Sequence, residues 1–460
     1  GNDVSGNDND FTSSGFDADD QMPDTPTTNF STLNSVQEVW NAAVTLSDGN
    51  LHGAGTTASV WNNSTGTIAV SSGKWVFASK PTAIAQGNGD LFVCNNTGRN
   101  DKDAQPQGAG NCWAFTWQNT TLITTYDQTS STDRTASPAV AVGDYQLCAL
   151  DVDNLAIWFG IYDASAGTTV WADNSTGWTG DPTDGGTTKS GTLVTSSGDL
   201  FYMGFSFYTG RSADVDFGQG ALLSDITIPT GFNLVNTANI TEPTIKNSKK
   251  YFDTILYEGN GLSQKVGQFQ PITETYSVGN SALFILADAC ELTKTFGSAA
   301  SSSNKGTLSV WVKPNIEGMN AAGGHLINCD GTGGDLIVID DATGILKIAL
   351  NNNAEGNWTS AQSIQDPTQW TNIVVAFELD NASATDRIQV YIDGVNVTDD
   401  GTFNNTFTDS DFDMCQNSIA CNISGVTDYT STDYLYDGYM AEYVWCDGQV
   451  LTSSSFGEVD

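Results

Sequence analysis

Apolar residues alternate with polar ones along several short stretches of the chain, and turn-forming residues separate these stretches. The clearest examples in the first half are GKWVFASK (73–80), DYQLCALDVDNLAIWFGIYD (144–163) and DLFYMGFSFYTG (199–210). Successive side chains of a β-strand point to opposite faces, so these stretches are predicted strands. Asp153 and Asn154 interrupt the second stretch and predict a tight hairpin between two strands.

The second half repeats this pattern in GTLSVWVKP (306–314), WTNIVVAFELD (370–380) and RIQVYIDGVNV (387–397). Asp393 and Gly394 lie inside the third stretch and predict a type I′ hairpin turn. The positions that alternation assigns to a buried face are Leu308, Val310, Val312, Ile373, Val375, Phe377, Leu379, Ile388, Val390 and Ile392.

A last strand is predicted close to the C-terminus, ending at Asp447 and Gly448. Strict alternation puts one set of residues on one face and a second set on the other. The first set is Met440, Glu442, Val444 and Cys446, and the second is Tyr439, Ala441, Tyr443 and Trp445. We expect one face to meet the core and the other to meet a neighbour or solvent.

Many short strands without an amphipathic helix of useful length predict an all-β fold with two antiparallel β-sandwiches. Residues 1–38 are rich in Asp, Asn and Thr, and they predict an extended N-terminal arm that lies on a neighbouring subunit. The first sandwich is predicted over 39–223 and the second over 276–460. A partly ordered connector, with a short strand at 251–259, is predicted over 224–275.

Composition limits the partners of the protein. The 460 residues include 16 Lys and Arg against 54 Asp and Glu, which gives a net charge of −38. Such a surface repels nucleic acid and anionic lipid. The chain also has no apolar run near the roughly 20 residues that a membrane span requires, so membrane insertion is not expected.

Two family resemblances follow from these stretches. GTLSVWVKP, WTNIVVAFELD, RIQVYIDGVNV and YDGYMAEYVWCDGQVLTSSSFGE, in this order, resemble the laminin G and concanavalin A-like jelly-roll family. SSGKWVF, GDYQLCALDVDNLAIWF and VDFGQ resemble the SPRY family, another concanavalin-like sandwich. The resemblance implies that both sandwiches are jelly rolls, although the first lacks the usual Tyr-Trp-Glu after its lysine, Lys74.

The order of the segments resembles large structural proteins of tailed bacteriophages, especially marine ones. The segments are 5–34, TLSDGNL, YFDTILYEGNG and DGYMAEYVWCDGQVLTSSSFGE. This resemblance implies a protein of the virion surface, such as a tail fibre, spike or decoration protein. Its partners would be copies of itself, other virion proteins and a host-surface glycan. The alternatives are a secreted bacterial adhesin or lectin, and a capsid or filament component without a receptor role.

An enzymatic role is tested by the spacing of the acidic residues. Retaining glycosidases need two carboxyl groups about 5–5.5 Å apart. Glu442 and Asp447 are five residues apart, which alternation puts on opposite faces. Glu378 and Asp380 are two apart but stand at the solvent-facing end of a predicted strand. We therefore predict a protein without enzymatic activity, and a polysaccharide-cleaving enzyme remains the weaker alternative.

Aspartates near glycine-rich or polar turns make calcium the candidate cofactor, because calcium prefers hard oxygen ligands on flexible loops. The candidate ligands are Asp330, Asp335, Asp411 and Asp413. The laminin G resemblance also implies a calcium ion at the rim of the domain. The alternative is that these aspartates only form turns and keep the protein soluble.

Trp171 and Trp178 lie in a polar insertion, TTVWADNSTGWTGDP, and are the candidate ligand-binding residues. Exposed tryptophans stack on sugar rings and anchor interfaces. The alternative for each is packing in a core or a subunit interface.

The chain contains eight cysteines, and none forms a Cys-X-X-Cys pair. Cys94 with Cys112, and Cys415 with Cys421, are the disulfide candidates because each pair is close in sequence. The alternative is that they are small buried core residues.

Overall fold

The structure is a computed structural model, and it describes residues 4, 6, 9–37, 40, 42–55, 60–82, 84, 90–100, 106, 108–137, 139–196, 198–208, 211–240, 269–271, 277–298, 300–319, 323–331, 334–426 and 434–459. Within this part the chain forms antiparallel sheets stacked as two sandwiches, which confirms the predicted all-β fold. The predicted strand at 251–259 lies outside the described residues. No helix of the described part is long and apolar enough to cross a membrane.

The arm and the first sandwich contain the first sixteen strands. They are β1 (Thr12–Ser14), β2 (Gln21–Met22), β3 (Val44–Ser47), β4 (His52–Gly55), β5 (Trp61–Val70), β6 (Lys74–Pro81), β7 (Asp90–Asn95), β8 (Cys112–Trp117), β9 (Leu122–Asp127), β10 (Ser130–Thr135), β11 (Tyr145–Asp151), β12 (Ala156–Asp163), β13 (Thr168–Trp171), β14 (Gly191–Thr192), β15 (Phe201–Tyr208) and β16 (Ser212–Asp216). A short helix, α1 (Asn96–Asn100), follows β7, and 3-10 turns span Ala18–Asp20 and Thr237–Asn239.

Two sheets form the first sandwich. One has the order β10-β9-β8-β7-β15-β5, and the other β13-β12-β11-β6-β16-β4-β3, with β14 paired to β12. Aromatic rings fill the space between them; Phe115 and Phe159, for example, stack with centroids 5.5 Å apart. Residues 224–240, predicted as connector, also lie on this sandwich, where Phe232 and Val235 are buried.

The second sandwich contains the remaining strands. They are β17 (Phe269–Pro271), β18 (Ser281–Phe284), β19 (Glu291–Thr295), β20 (Lys305–Pro314), β21 (Gly324–Cys329), β22 (Asp335–Ile339), β23 (Ile345–Leu350), β24 (Gly356–Ser363), β25 (Thr371–Glu378), β26 (Ile388–Ile392), β27 (Val395–Asn396), β28 (Thr402–Asn405), β29 (Ala420–Ile423), β30 (Gly438–Asp447) and β31 (Gly457–Val459). Further 3-10 turns span Ile316–Gly318, Ala384–Asp386 and Ser453–Ser455.

The two main sheets of this sandwich have the orders β1-β19-β29-β21-β22-β23-β24-β28 and β2-β18-β30-β20-β25-β26-β27, and β17 pairs with β31. Alternation assigns ten positions to a buried face, in β20, β25 and β26 and just after β25. All ten belong to the core between these sheets. Asp393 and Gly394 have φ angles of 47° and 79°, and Ile392 pairs with Val395, as a type I′ turn requires.

A β-bulge in β30 makes the predicted assignment of its faces wrong. Ala441 pairs with Trp311 and Val444 with Ser309, so Glu442 and Tyr443 together stand opposite one residue of β20. The extra residue reverses the alternation. Tyr443 and Trp445 therefore pack on the same core as Met440, and not on the face of Tyr439 and Ala441.

The N-terminal arm lies along its own chain, which corrects the expectation that it lies on a neighbouring subunit. Strand β1 pairs with β19, and β2 pairs with β18, so the arm forms the edge of both main sheets of the second sandwich. The arm then reaches the first sandwich, where Leu33 forms a bridge with Gly66 of the edge strand β5. Open strand edges attract pairing partners, and the arm supplies these partners from within the chain.

The two sandwiches contact each other around the 48–51 turn of the first. Leu51 packs against a buried apolar cluster that includes Trp311, Trp370 and Tyr439 of the second. The Tyr439 hydroxyl donates a hydrogen bond of 3.1 Å to the carbonyl of Gly49. The contact therefore combines apolar packing with hydrogen bonds to main-chain atoms.

Candidate functional site

The insertion loop, residues 172–190, connects β13 to β14 at one end of the first sandwich. Its sequence contains repeated aspartates followed by Ser or Thr two or three positions later, and such side chains fold back on their own backbone. Asp181 accepts hydrogen bonds from Thr183, and Asp184 accepts them from the Thr187 and Thr188 backbone. These local hydrogen bonds thus hold parts of the loop to its own backbone.

The side chain of Arg134, on β10, holds the first residues of the insertion loop. Its side chain is 1% exposed, and its guanidinium donates to the carbonyl oxygens of Asp173 at 2.6 Å and Gly177 at 2.8 Å. It also donates to Thr125 of β9 at 3.1 Å. A planar group with several fixed donors is suited to holding irregular backbone in this way.

The Asp173 carboxylate is the centre of the same arrangement. It accepts hydrogen bonds from the backbone and hydroxyl of Ser175, the backbone of Gly177 and the hydroxyl of Thr179. Burial acts to raise the pKa of Asp173, but these hydrogen bonds outweigh it and hold the pKa well below the usual range. The carboxylate is therefore ionised at neutral pH and braces the exposed residues 174–176.

The two tryptophans predicted to bind ligand have different environments. Trp171 is 9% exposed, and its ring lies against Gly160 of the paired strand, where a Cβ atom would meet the ring at 2.7 Å. Trp171 is thus a core residue. Trp178 is half-buried, packs edge-on against Phe115 and donates its indole N–H to the carbonyl of Thr135 at 2.8 Å.

Sequence reasoning missed Arg134 and Asp173, which organise the loop. The Asp-X-Ser pattern at 173–175 carries a signal for a local turn, whereas the contact with Arg134 spans 39 residues and depends on the fold. The structure therefore brings Trp178, but not Trp171, together with the exposed loop residues.

The aspartates predicted to bind calcium do not form one site. Asp335 is 2% exposed and accepts the backbone N–H groups of Asn351 and Asp413, and burial raises its pKa to about 6. Burial, together with repulsion from Asp330 and Glu355, raises the pKa of Asp413. The Asp411 carboxylate instead accepts a hydrogen bond from the hydroxyl of Ser303. Among the residues that the structure describes, no group of three or more His, Cys, Asp or Glu side chains is placed to hold a metal ion.

The disulfide differs from both predicted pairs. Cys421 is bonded to Cys329, the residue opposite it in the antiparallel pair of β29 and β21, and Cys415 is a buried thiol. Cys94 and Cys112 lie opposite each other in β7 and β8 and are not bonded to each other. Closeness in sequence is a poor guide here, because Cys421 bonds to a residue of the neighbouring strand that is 92 positions away.

The closely spaced carboxylates Glu378 and Asp380 both contact Lys305, each at 3.0 Å. The hydrogen bond from Lys305 lowers the pKa of Glu378. General-acid catalysis needs a carboxyl group with a raised pKa, so this pair lacks the character of a glycosidase site. The two histidines have separate environments. The His52 Nδ1 atom is hydrogen-bonded to Asp214 Oδ1 at 2.7 Å. Burial lowers the pKa of His325 to about 4.

Comparison with protein families gives a match in the second half of the chain. Residues 291–450 match the family model described as the Concanavalin A-like lectin/glucanases superfamily. This segment covers fewer than half of the 460 residues, and it confirms the predicted concanavalin-like domain in this part of the second sandwich. No curated protein matches the chain.

Several solved structures are similar to the chain. The SPRY domain of human HERC1 shares 15% identity, covers 37% of this chain and 91% of its own, and gives a TM-score of 0.27. The TRIM65 PSpry domain shares 11% identity over 41% of this chain and 90% of its own, with a TM-score of 0.29. The heptameric SAP-like pentraxin from Limulus polyphemus shares 12% identity over 41% of this chain and 77% of its own, with a TM-score of 0.26.

Proposed function

We propose that this protein is a non-enzymatic binding protein that recognises a carbohydrate through the insertion loop of its first sandwich. The observation that carries the proposal is the buried Arg134–Asp173 pair, which braces exposed polar residues beside Trp178. A loop that is already ordered loses little conformational entropy when it binds a ligand. The match of the second sandwich to a lectin-containing superfamily supports the same class of function.

The setting that we propose is the surface of a bacteriophage virion, as a tail fibre, spike or decoration protein. The support is the sequence resemblance of the arm and of the last strand to such proteins. The net charge of −38 suits a role outside nucleic-acid binding. In this setting the ligand is a glycan of the host surface, and the other partners are virion proteins and further copies of the chain.

A secreted bacterial adhesin or lectin is the second candidate, and the Cys329–Cys421 disulfide favours it. Disulfides persist in oxidising compartments and are rare in the cytosol, where virions assemble. Mass spectrometry of purified virions and of the culture medium separates the two candidates. Presence in the particle supports the virion protein, and presence only in the medium supports the adhesin.

Binding is tested with the purified chain on immobilised bacterial-surface polysaccharides. We expect Thr176→Ala and Trp178→Ala to weaken the binding of the recognised polysaccharide about tenfold or more, or by at least ~1.4 kcal/mol. Thr402→Ala, at an exposed threonine of β28, is the matched control and leaves binding unchanged. The melting temperature of each variant shows whether the fold is retained.

Two outcomes contradict the proposal. In the first, no polysaccharide of the panel binds, or both loop variants bind like the wild type. In the second, new reducing ends appear during incubation, which would establish a polysaccharide-cleaving enzyme instead.

A further inference from the structure

Three polar side chains meet in a solvent-free space between the arm and the second sandwich. Asp24, Asn29 and Lys313 are 0%, 5% and 2% exposed, respectively. The Lys313 amine lies 2.8 Å from Asp24 Oδ2 and 2.8 Å from Asn29 Oδ1. The arm therefore brings a carboxyl group and a carboxamide to one buried amine.

Two aromatic side chains lie against these groups. The Tyr439 ring centroid lies 5.6 Å from the Lys313 amine, and the Trp370 indole N–H donates to Asp24 Oδ1 at 2.9 Å. Burial lowers the pKa of Lys313, because an ammonium group is poorly solvated there. The Lys313 amine and the Asp24 carboxylate lie 2.8 Å apart, close enough for one proton to pass between them when a reaction begins.

The Asn29 carboxamide is fixed against this amine. Its Nδ2 donates to the carbonyl of Thr368 at 2.8 Å, and its main chain exchanges hydrogen bonds with Thr237. The carboxamide is thus fixed with its Oδ1 atom 2.8 Å from the nitrogen of Lys313, and its carbonyl carbon is one bond further away. Fixing two reactants in this way turns a bimolecular step into an effectively unimolecular one.

We propose that Lys313 and Asn29 join in an intramolecular isopeptide bond, with Asp24 as the proton carrier. The neutral Lys313 Nζ attacks Asn29 Cγ, and protonated Asp24 hydrogen-bonds to the amide as it becomes tetrahedral. One amine proton passes through Asp24 to Nδ2, the Cγ–Nδ2 bond breaks, and the leaving ammonia takes the remaining proton from Asp24 and departs as an ammonium ion. The Nζ–Cγ amide remains and Asp24 is again a carboxylate. In total, an ammonium side chain and a carboxamide give an amide and an ammonium ion, without any oxidant.

The bond would join the arm covalently to β20. Its formation does not depend on the ligand that the insertion loop binds. The competing description is an ordinary buried ion pair. In that case the ammonium group donates to Asp24, Asn29 and the carbonyl of Phe30, which lies 3.0 Å away. The two descriptions differ in mass, so mass spectrometry distinguishes them directly.

The test is the intact mass of the purified full chain after denaturation and reduction of its disulfide. We expect the wild type to be lighter than the mass calculated from its sequence by one ammonia molecule. Fragmentation of a protease digest should then yield a branched peptide that joins the segment around Asn29 to the segment around Lys313. The full calculated mass in the wild type, or an ammonia loss that maps to another residue, overturns the proposal.

Variants test the role of each group. Lys313→Arg and Asp24→Asn should both restore the full mass, the first by removing the nucleophile and the second by removing the proton carrier. The matched control is Lys74→Arg, because Lys74 also contacts a buried aspartate, Asp151, at 2.9 Å with Asn154 beside it. This control should keep the ammonia loss, and a branched peptide that persists in Asp24→Asn overturns the role of Asp24.

Discussion

Asp437 is a buried carboxyl group where the two sandwiches meet. It is 1% exposed and accepts the N–H groups of Gly49 at 3.3 Å and Leu286 at 3.4 Å, and the amide of Asn315 at 3.1 Å. These hydrogen bonds are long. Loss of water around the charge therefore dominates and raises the pKa of Asp437 to about 6, compared with a usual value of 3.8.

This raised pKa gives a pH dependence with a definite sign. The folded chain holds a proton on Asp437 at pH values where the unfolded chain has lost it, so this residue contributes most stability below about pH 4. The contribution, on the order of 3 kcal/mol, is lost progressively as the pH rises from about 4 through 6. We expect the wild type to lose more stability than Asp437→Asn between pH 4.5 and pH 7.5.

Urea unfolding of both proteins at the two pH values measures this difference. Asp335, whose pKa burial also raises to about 6, is present in both proteins and so cancels in the comparison. Equal losses of stability in wild type and variant would show that Asp437 does not retain its proton in the folded chain.

At the scale of the element, the bulge of β30 places a charged residue in an unusual backbone conformation. Glu442 has φ 48°, in the left-handed region that residues with a side chain avoid at a cost of about 1–2 kcal/mol. The bulge directs both Tyr443 and Trp445 onto the core. The strained residue therefore serves the packing of its neighbours.

We expect Glu442→Gly to raise the free energy of unfolding by about 1 kcal/mol, because glycine adopts this φ without strain. Val444→Gly in the same strand is the control, and it should lower stability by about 1 kcal/mol through lost strand preference and packing. Denaturant titration checks both variants. A Glu442→Gly protein destabilised as much as Val444→Gly would contradict the account of the bulge.

The strands that the sequence predicts well are those with local and regular signals. Alternation in β20, β25 and β26 is enough to identify their buried faces, because a residue two positions away shares its environment. Asp393-Gly394 predicts its turn because few residue pairs accept two positive φ angles. These features need no knowledge of the partner strand.

The features that the sequence does not predict depend on the partner strand. The bulge at Glu442 breaks the period of two, and Cys421 finds its partner 92 residues away. Trp171 is buried because Gly160 of the adjacent strand leaves room for its ring. In the candidate site, Trp178 could be selected from the polar insertion, whereas Arg134 could not, since its role exists only after β10 meets the loop.

The disulfide gives a further prediction for an element. It joins β21 to β29 and closes a loop of 92 residues within the second sandwich. Cross-links of this length restrict the unfolded chain, so Cys421→Ser should lower the free energy of unfolding by about 2–4 kcal/mol. Cys446→Ser, at a half-exposed thiol, is the control and should have a small effect. Equal stability of wild type and Cys421→Ser in urea would contradict this.

At the scale of the whole molecule, the arm belongs to both sandwiches at once. It forms the edge strands β1 and β2 of the second sandwich and bridges the edge strand β5 of the first. Phe30 and Leu33 of the arm are 4% and 0% exposed. Because the arm's buried residues contact both sandwiches, loosening either sandwich exposes part of the arm, which couples their unfolding.

This coupling predicts one cooperative transition in calorimetry of the full chain. Removal of residues 1–37 should separate it into two transitions, and it should lower at least one melting temperature by about 4 °C or more. The truncated chain should also self-associate, because β18 and β19 lose the strands that cover their edges. Removal of residues 1–8 alone is the matched control, since it leaves β1 and β2 in place, and it should leave the single transition unchanged. If the chain without residues 1–37 still melts in one transition at the wild-type temperature, the sandwiches are coupled by their direct contact around Gly49 and Tyr439, and the arm contributes only the covering of the sheet edges.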